Sequence, residues 1–145
     1  MVRVIGIDPG TKSYDFCGLE DDEVIIDTSV STREIMSDPG LLSGIILETK
    51  ADMVVGPSGF GIALADIRDV GERELFLMSL IKKEDKKNIL GMRKSIWRLK
   101  EKGLQVVFIP GVIHLPTVPI YRKINKVDMG TADKLCCAAL GIRDQ

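Results

Sequence analysis

Aromatic residues are scarce in this chain, at 5% of its 145 residues. That scarcity argues against the stacking platforms on which single-stranded nucleic acids are held. Histidine occurs once, at position 114, and cysteine only at 17, 136 and 137. An odd cysteine count without framework spacing speaks against a disulfide scaffold, and one histidine leaves too few partners for a structural zinc. Adjacent Cys136 and Cys137 fall in an apolar helical pattern and are expected to be small core residues. An excess of one charge is missing as well, since 20 Lys and Arg face 21 Asp and Glu, for a net charge of −1. Nucleic-acid binders usually carry a basic patch or stripe, so nucleic acid is not the expected partner. No apolar run is long enough to span a bilayer and no signal peptide precedes the first strand, which makes the cytoplasm the expected location.

What is present is a balanced, moderately apolar chain, 45% hydrophobic and 28% charged. A chain of this length reads as one domain, 1–145, with a real core. Its most informative stretch comes early: Arg3-Val4-Ile5-Gly6-Ile7-Asp8-Pro9-Gly10-Thr11-Lys12-Ser13. The Val- and Ile-rich run reads as a buried strand. Pro9-Gly10 then turns the chain, because Pro presets φ and Gly accepts positive φ. Asp8 is thereby expected at the end of a strand, where a sheet opens to solvent. Gly10, Thr11, Lys12 and Ser13 follow with backbone N–H groups, hydroxyls and an ammonium that can face an anion. A carboxylate beside anion donors suits a metal-bound phosphate, the carboxylate holding Mg²⁺ and the turn holding the oxygens.

The rest of the chain supplies an alternating α/β pattern. Residues 14–19 and 24–28 read as two further strands, separated by an acidic hairpin tip at Glu20-Asp21-Asp22-Glu23. Ser31 or Thr32 is expected to cap a helix with Glu34 in its first turn, and Pro39 to start a second helical piece. A short buried strand at 52–56 follows. It leads into Gly56-Pro57-Ser58-Gly59-Phe60-Gly61, a glycine-rich loop whose Ser58 and Gly59 can offer donors at the sheet's carboxyl edge, where open α/β sheets bind ligands. Helices are expected over 69–81 and 89–102, the second ended by Gly103, then a fifth strand over 104–109. The predicted fold class is therefore α/β, a five-stranded mixed sheet in the order β-β-β-α-β-α-α-β-α, flanked by helices.

A second informative stretch follows the fifth strand. Residues 110–119 are too rich in proline for a helix or a central strand and read as a stiff loop carrying His114. Arg122 comes next, then Asp128-Met129-Gly130-Thr131-Ala132-Asp133-Lys134 leading into an apolar helix. Thr131 suits the N-cap, and a helix N-terminus favours an anion. Topology would gather His114, Arg122, Asp128, Thr131, Asp133 and Lys134 near Asp8. Taken singly, each also has an ordinary structural role open to it, as a cap, a turn or a solvated charge.

The first stretch resembles the first phosphate loop of the acetate and sugar kinase, heat-shock 70 and actin superfamily. It is equally similar to the first strand of ribonuclease H-like nucleases, including Holliday-junction resolvases, where an Ile-Asp-Pro-Gly run carries the first metal-binding aspartate. The two share a ribonuclease H-like core. Taken with residues 56–61, 71–78, 109–119 and 128–135, the chain resembles along its length an archaeal family often labelled butyrate-kinase-like and placed in the kinase superfamily. That resemblance implies the N-terminal lobe of a two-lobed small-molecule kinase, with ATP and Mg²⁺ as cofactors and a carboxylate such as butyrate as acceptor. Asp8 would hold Mg²⁺, and Gly10, Thr11 and Lys12 would contact phosphates. Asp133 or Asp128 would position the acceptor, and His114 and Arg122 would bind a carboxylate or the moving phosphoryl group. The nuclease alternative would draw its carboxylates from Asp8, Asp128 and Asp133, with Asp66 or Glu72 as a fourth. A lone lobe could instead serve as a scaffold that dimerises.

Overall fold

The computed structural model describes residues 1–56, 61–79, 86–124 and 130–145, with the side chains of 79 and 86–90 left aside. Its centre is β1 (Arg3–Pro9), which pairs antiparallel with β2 (Ser13–Glu20) on one side and parallel with β4 (Met53–Val55) on the other. β3 (Glu23–Ser31) closes one edge against β2. β6 (Val106–Phe108) runs parallel to β4, and β5 (Ala65–Asp66) lies antiparallel outside it. The six-stranded sheet thus has the order β3-β2-β1-β4-β6-β5.

The expected mixed sheet is present, with the three-strand meander, the crossover and the parallel pairs of a ribonuclease H-like core. It has six strands rather than five. The additional strand, β5, is two residues long, too short for any alternation of side chains to register in the sequence.

Alternation along β1 and β2 decides what each face does. Ile5, Ile7, Tyr14 and Phe16 point to one face and are buried, as are Val54, Val106 and Phe108 on the neighbouring strands. Helices α1 (Thr32–Ser37), α2 (Pro39–Thr49) and α4 (Lys86–Glu101) cover that face, contributing Ile35, Leu42, Ile46, Ile96 and Leu99 to a single core. Leu75 and Met78 of α3 (Glu72–Ser79) join it. The boundaries follow local chemistry. Ser31 and Glu34 form a reciprocal capping box at the start of α1, and Asp38 accepts from Gly40 N at 2.9 Å just before Pro39 opens α2. Gly56, leaving β4, must be glycine: a Cβ there would lie 2.8 Å from Val106 Cγ1 and 2.9 Å from the Phe108 ring.

The other face is much barer. Asp8 and Asp15 oppose each other across β1 and β2, as do Gly6 and Cys17, and Cys17 opposes Asp27 of β3. Among the described residues, α5 (Ala132–Arg143) is the helix that approaches this face. Its first turn sits over Asp8, and Arg143 at its far end comes within 3.9 Å of Asp22 at the tip of the β2–β3 hairpin. Of its side chains, only Ala132 is buried. This corrects the expectation for Cys136 and Cys137, both of which are exposed. The apolar run of α5 is helical as expected, but the helix spans a polar sheet face rather than entering the core. Among the described residues, no helix is long and apolar enough to cross a membrane.

The two faces should respond differently to truncation. Leu99→Ala, at a fully buried position, is expected to cost 2–5 kcal/mol by loss of burial and cavity formation. Leu140→Ala, with the side chain 51% exposed, should stay within about 0.5 kcal/mol. Urea unfolding of the two variants, compared at constant m, tests this contrast.

Candidate functional site

Asp8 reaches the bare face because it follows Ile7 by one residue. With Ile7 in the core, the next side chain must point the other way. The turn after it is stiff. Gly10 N donates to Ser13 O at 2.8 Å, and a Cβ on Gly10 would stand 2.6 Å from that same oxygen, so only glycine fits. The turn is also tied to α1: Thr32 Oγ1 donates to Gly10 O at 2.8 Å, and Thr32 N to Lys12 O at 2.9 Å. Thr11 and Lys12 stand exposed at its tip, and Ser13 begins β2.

Between the end of β1, the bare sheet face and the first turn of α5 lies an open groove of about 260 Å³. Asp8, Asp15, Asp27 and Asp133 line it, with Gly6, Cys17, Val55 and Cys136 among the other walls. Burial pushes the Asp8 carboxyl above the ordinary aspartate range, and the charges of Asp133 and Asp15 push it further, while Lys134 opposes them. Burial acts on Asp133 in the same sense. There, hydrogen bonds from Lys134 and Thr131, with the Lys134 charge, outweigh it and hold the carboxyl below its usual value. Lys134 Nζ donates to Asp133 Oδ2 at 2.6 Å, and the Thr131 hydroxyl donates to Asp133 Oδ1. Thr131 therefore stands at the N-cap of α5 but turns its hydroxyl to a side chain instead of a backbone N–H. Burial, then Cys137 and Asp133, raise the Cys136 thiol, which disfavours the reactive thiolate.

Of the residues singled out from the sequence, Asp8 and Asp133 line the groove, with Thr131 and Lys134 on its rim through Asp133. Gly10, Thr11, Lys12 and Ser13 form the adjoining turn. His114 and Arg122 are not among the lining residues. His114 closes a 3-10 turn, Val112–His114, and its Nδ1 lies 3.0 Å from Gly111 N as acceptor. Arg122 ends another, Ile120–Arg122, and is exposed. Ser58, Gly59 and Asp128 lie outside the described residues. The reading of the sequence missed Asp15 and Asp27. Their signal was available in the alternation Tyr14-Asp15-Phe16-Cys17, which puts Asp15 and Cys17 on the face opposite the aromatic pair.

A family model described as a protein of unknown function, DUF1464, matches residues 6–145. The chain belongs to the DUF1464 family. No curated protein matches it.

The donor set of this DUF1464 chain suits one kind of metal better than others. Carboxylate oxygens, with Asp8 destabilised as an anion by its neighbours, favour a hard divalent cation. Among the described residues, no three or more His, Cys, Asp or Glu side chains are assembled as a ready metal cage. Mg²⁺ does not need one, since it is usually held through one or two carboxylates, with water and a ligand's phosphate oxygens completing the shell.

The raised Asp8 pKa has a stability consequence of definite sign. The folded protein disfavours the charged form, so the favourable contribution of the protonated carboxyl is fully present below the unfolded value of 3.8 and is lost as pH rises through the folded value. Asp8→Asn should therefore raise the melting temperature at pH 7 over the wild type, with the gain vanishing below pH 3.8. Thermal unfolding at a series of pH values, without divalent cations, checks the sign.

Proposed function

We propose that this chain is the nucleotide- and phosphate-binding lobe of a Mg²⁺-dependent small-molecule kinase. The observation that carries the reading is the juxtaposition of Asp8 with a stiff turn on one side and Asp133 with Lys134 on the other. Phosphoryl transfer asks a protein chiefly for positioning and for neutralisation of charge. Asp8 would hold Mg²⁺ directly or through water. Thr11, Lys12 and the turn's backbone would contact the β- and γ-phosphates, and Lys134 would add a cation. Asp133 would orient the acceptor or take its proton. The earlier resemblance supplies the substrate class, ATP as donor and a small carboxylate of the butyrate kind as acceptor. The near-neutral net charge agrees with a small ligand rather than a polyanion.

One observation favours a second reading. An aspartate at the end of β1, another at the start of the last helix and Asp15 beside them form an arrangement suited to metal-assisted phosphodiester cleavage. Against it, Lys134 is already paired to one of those carboxylates, and Lys12 follows the other within four residues.

Calorimetric titration with Mg-ATP and Mg-ADP separates the two. The kinase reading expects binding that falls by about tenfold or more in Asp8→Ala, the size of a charge-assisted contact or two. A screen of small carboxylates for ADP formation then follows. Absence of nucleotide binding, together with Mn²⁺-dependent cleavage of branched DNA that Asp8→Asn abolishes, would establish the nuclease instead.

A further inference from the structure

Asp133 borders the groove with Asp8, yet both of its oxygens are engaged. Oδ2 accepts from Lys134 and Oδ1 from Thr131. The Lys134 charge also reaches Asp8, where it counters the effects of burial, Asp133 and Asp15. Reciprocally, Asp133 and, more weakly, Asp8 favour the charged form of Lys134. The ammonium is thus a counter-ion paired to Asp133 at the edge of the groove, and its charge also favours the ionised form of Asp8. It differs from a metal in being tethered to a side chain that is 68% exposed. Ion pairs as exposed as this hold weakly and exchange readily. A lysine ammonium is also an effective point charge for phosphate.

We propose that Lys134 makes divalent-cation binding and phosphate binding in this groove interdependent, an inference that rests on the reading of the groove as a Mg²⁺–phosphate site. Without phosphate, the ammonium stays on Asp133 and repels an incoming divalent cation. When a phosphate enters, the ammonium moves to one of its oxygens, Asp133 Oδ2 is released, and the cation gains a second carboxylate. No covalent bond changes and no proton moves. Each ligand removes an obstacle to the other, and linkage requires the coupling to be equal in both directions. Lys134 is thus a specificity-determining residue, one that selects a cation–phosphate pair over either ion alone.

The test measures calorimetric binding of Mn²⁺ alone, of inorganic tripolyphosphate alone, and of each in the presence of the other, corrected for their association in solution. The full chain is compared with Lys134→Met, Lys134→Arg and Asp8→Asn, with far-UV circular dichroism verifying that α5 remains helical. Lys134→Met should bind Mn²⁺ alone roughly three- to tenfold more tightly, the scale expected from removing one partly screened charge. It should bind tripolyphosphate more weakly and lose the coupling, while Lys134→Arg keeps the coupling. Unchanged or weaker Mn²⁺ binding in Lys134→Met, with Asp8→Asn abolishing binding, overturns the counter-ion role and leaves the site standing. If no variant binds either probe, or if Asp8→Asn binds both as the wild type does, the site reading falls and this inference falls with it.

Discussion

The pairing of β1 on both of its edges is the constraint on which the rest depends. Its antiparallel partner β2 and parallel partner β4 fix its orientation, and the pleat then fixes every side chain. Ile5 and Ile7 enter the core, so Gly6 and Asp8 must face the other way. A slip of one residue would bury the aspartate and expose the isoleucines. The apolar core and the position of the candidate metal carboxylate are therefore specified by the same register, and neither can drift without the other.

The acidic groove is maintained against its own repulsion. Asp8 is less comfortable as an anion in the fold than in water, because burial and two neighbouring aspartates act in one direction. The fold compensates locally with Lys134 and Thr131 on Asp133, not by moving the carboxylates apart. Carboxylates held close at a cost to stability are characteristic of sites shaped by ligand binding, where the ligand supplies the missing charge. The stiff Gly10 turn contributes in the same way. Its conformation is set by the Ser13 carbonyl and by Thr32, and a loop ordered in this way pays less for ordering on any ligand it meets.

Much of this architecture could be read from the sequence because local chemistry and global fold agree. The β1 motif, the Ser31–Glu34 box and Pro39 at the start of α2 each carry a local physical signature that survives in the structure. What escaped reading had no local signature or a misleading one. β5 is too short for a pattern. The apolar run 135–140 is consistent with either a core helix or a helix laid over a sheet face, and composition does not distinguish them. His114 and Arg122 follow the right strand, but the 3-10 turns that carry them set them away from the groove wall, a detail fixed by loop geometry. Asp15 and Asp27 stand at exposed positions of β2 and β3, and the alternation that assigns them to a face does not by itself show that the face borders a groove.

The outer strand β3 is nine residues long and largely exposed, with Val24 and Ile25 open to solvent. Such an edge invites a further strand from another chain. Asp27 stands at its midpoint, in the row that crosses Cys17 and Gly6. An antiparallel copy centred there would bring two aspartates face to face, and like charges directly opposed destabilise a strand pair. A carboxylate that lines the groove thus also opposes edge-to-edge pairing of two copies along the sheet's open border.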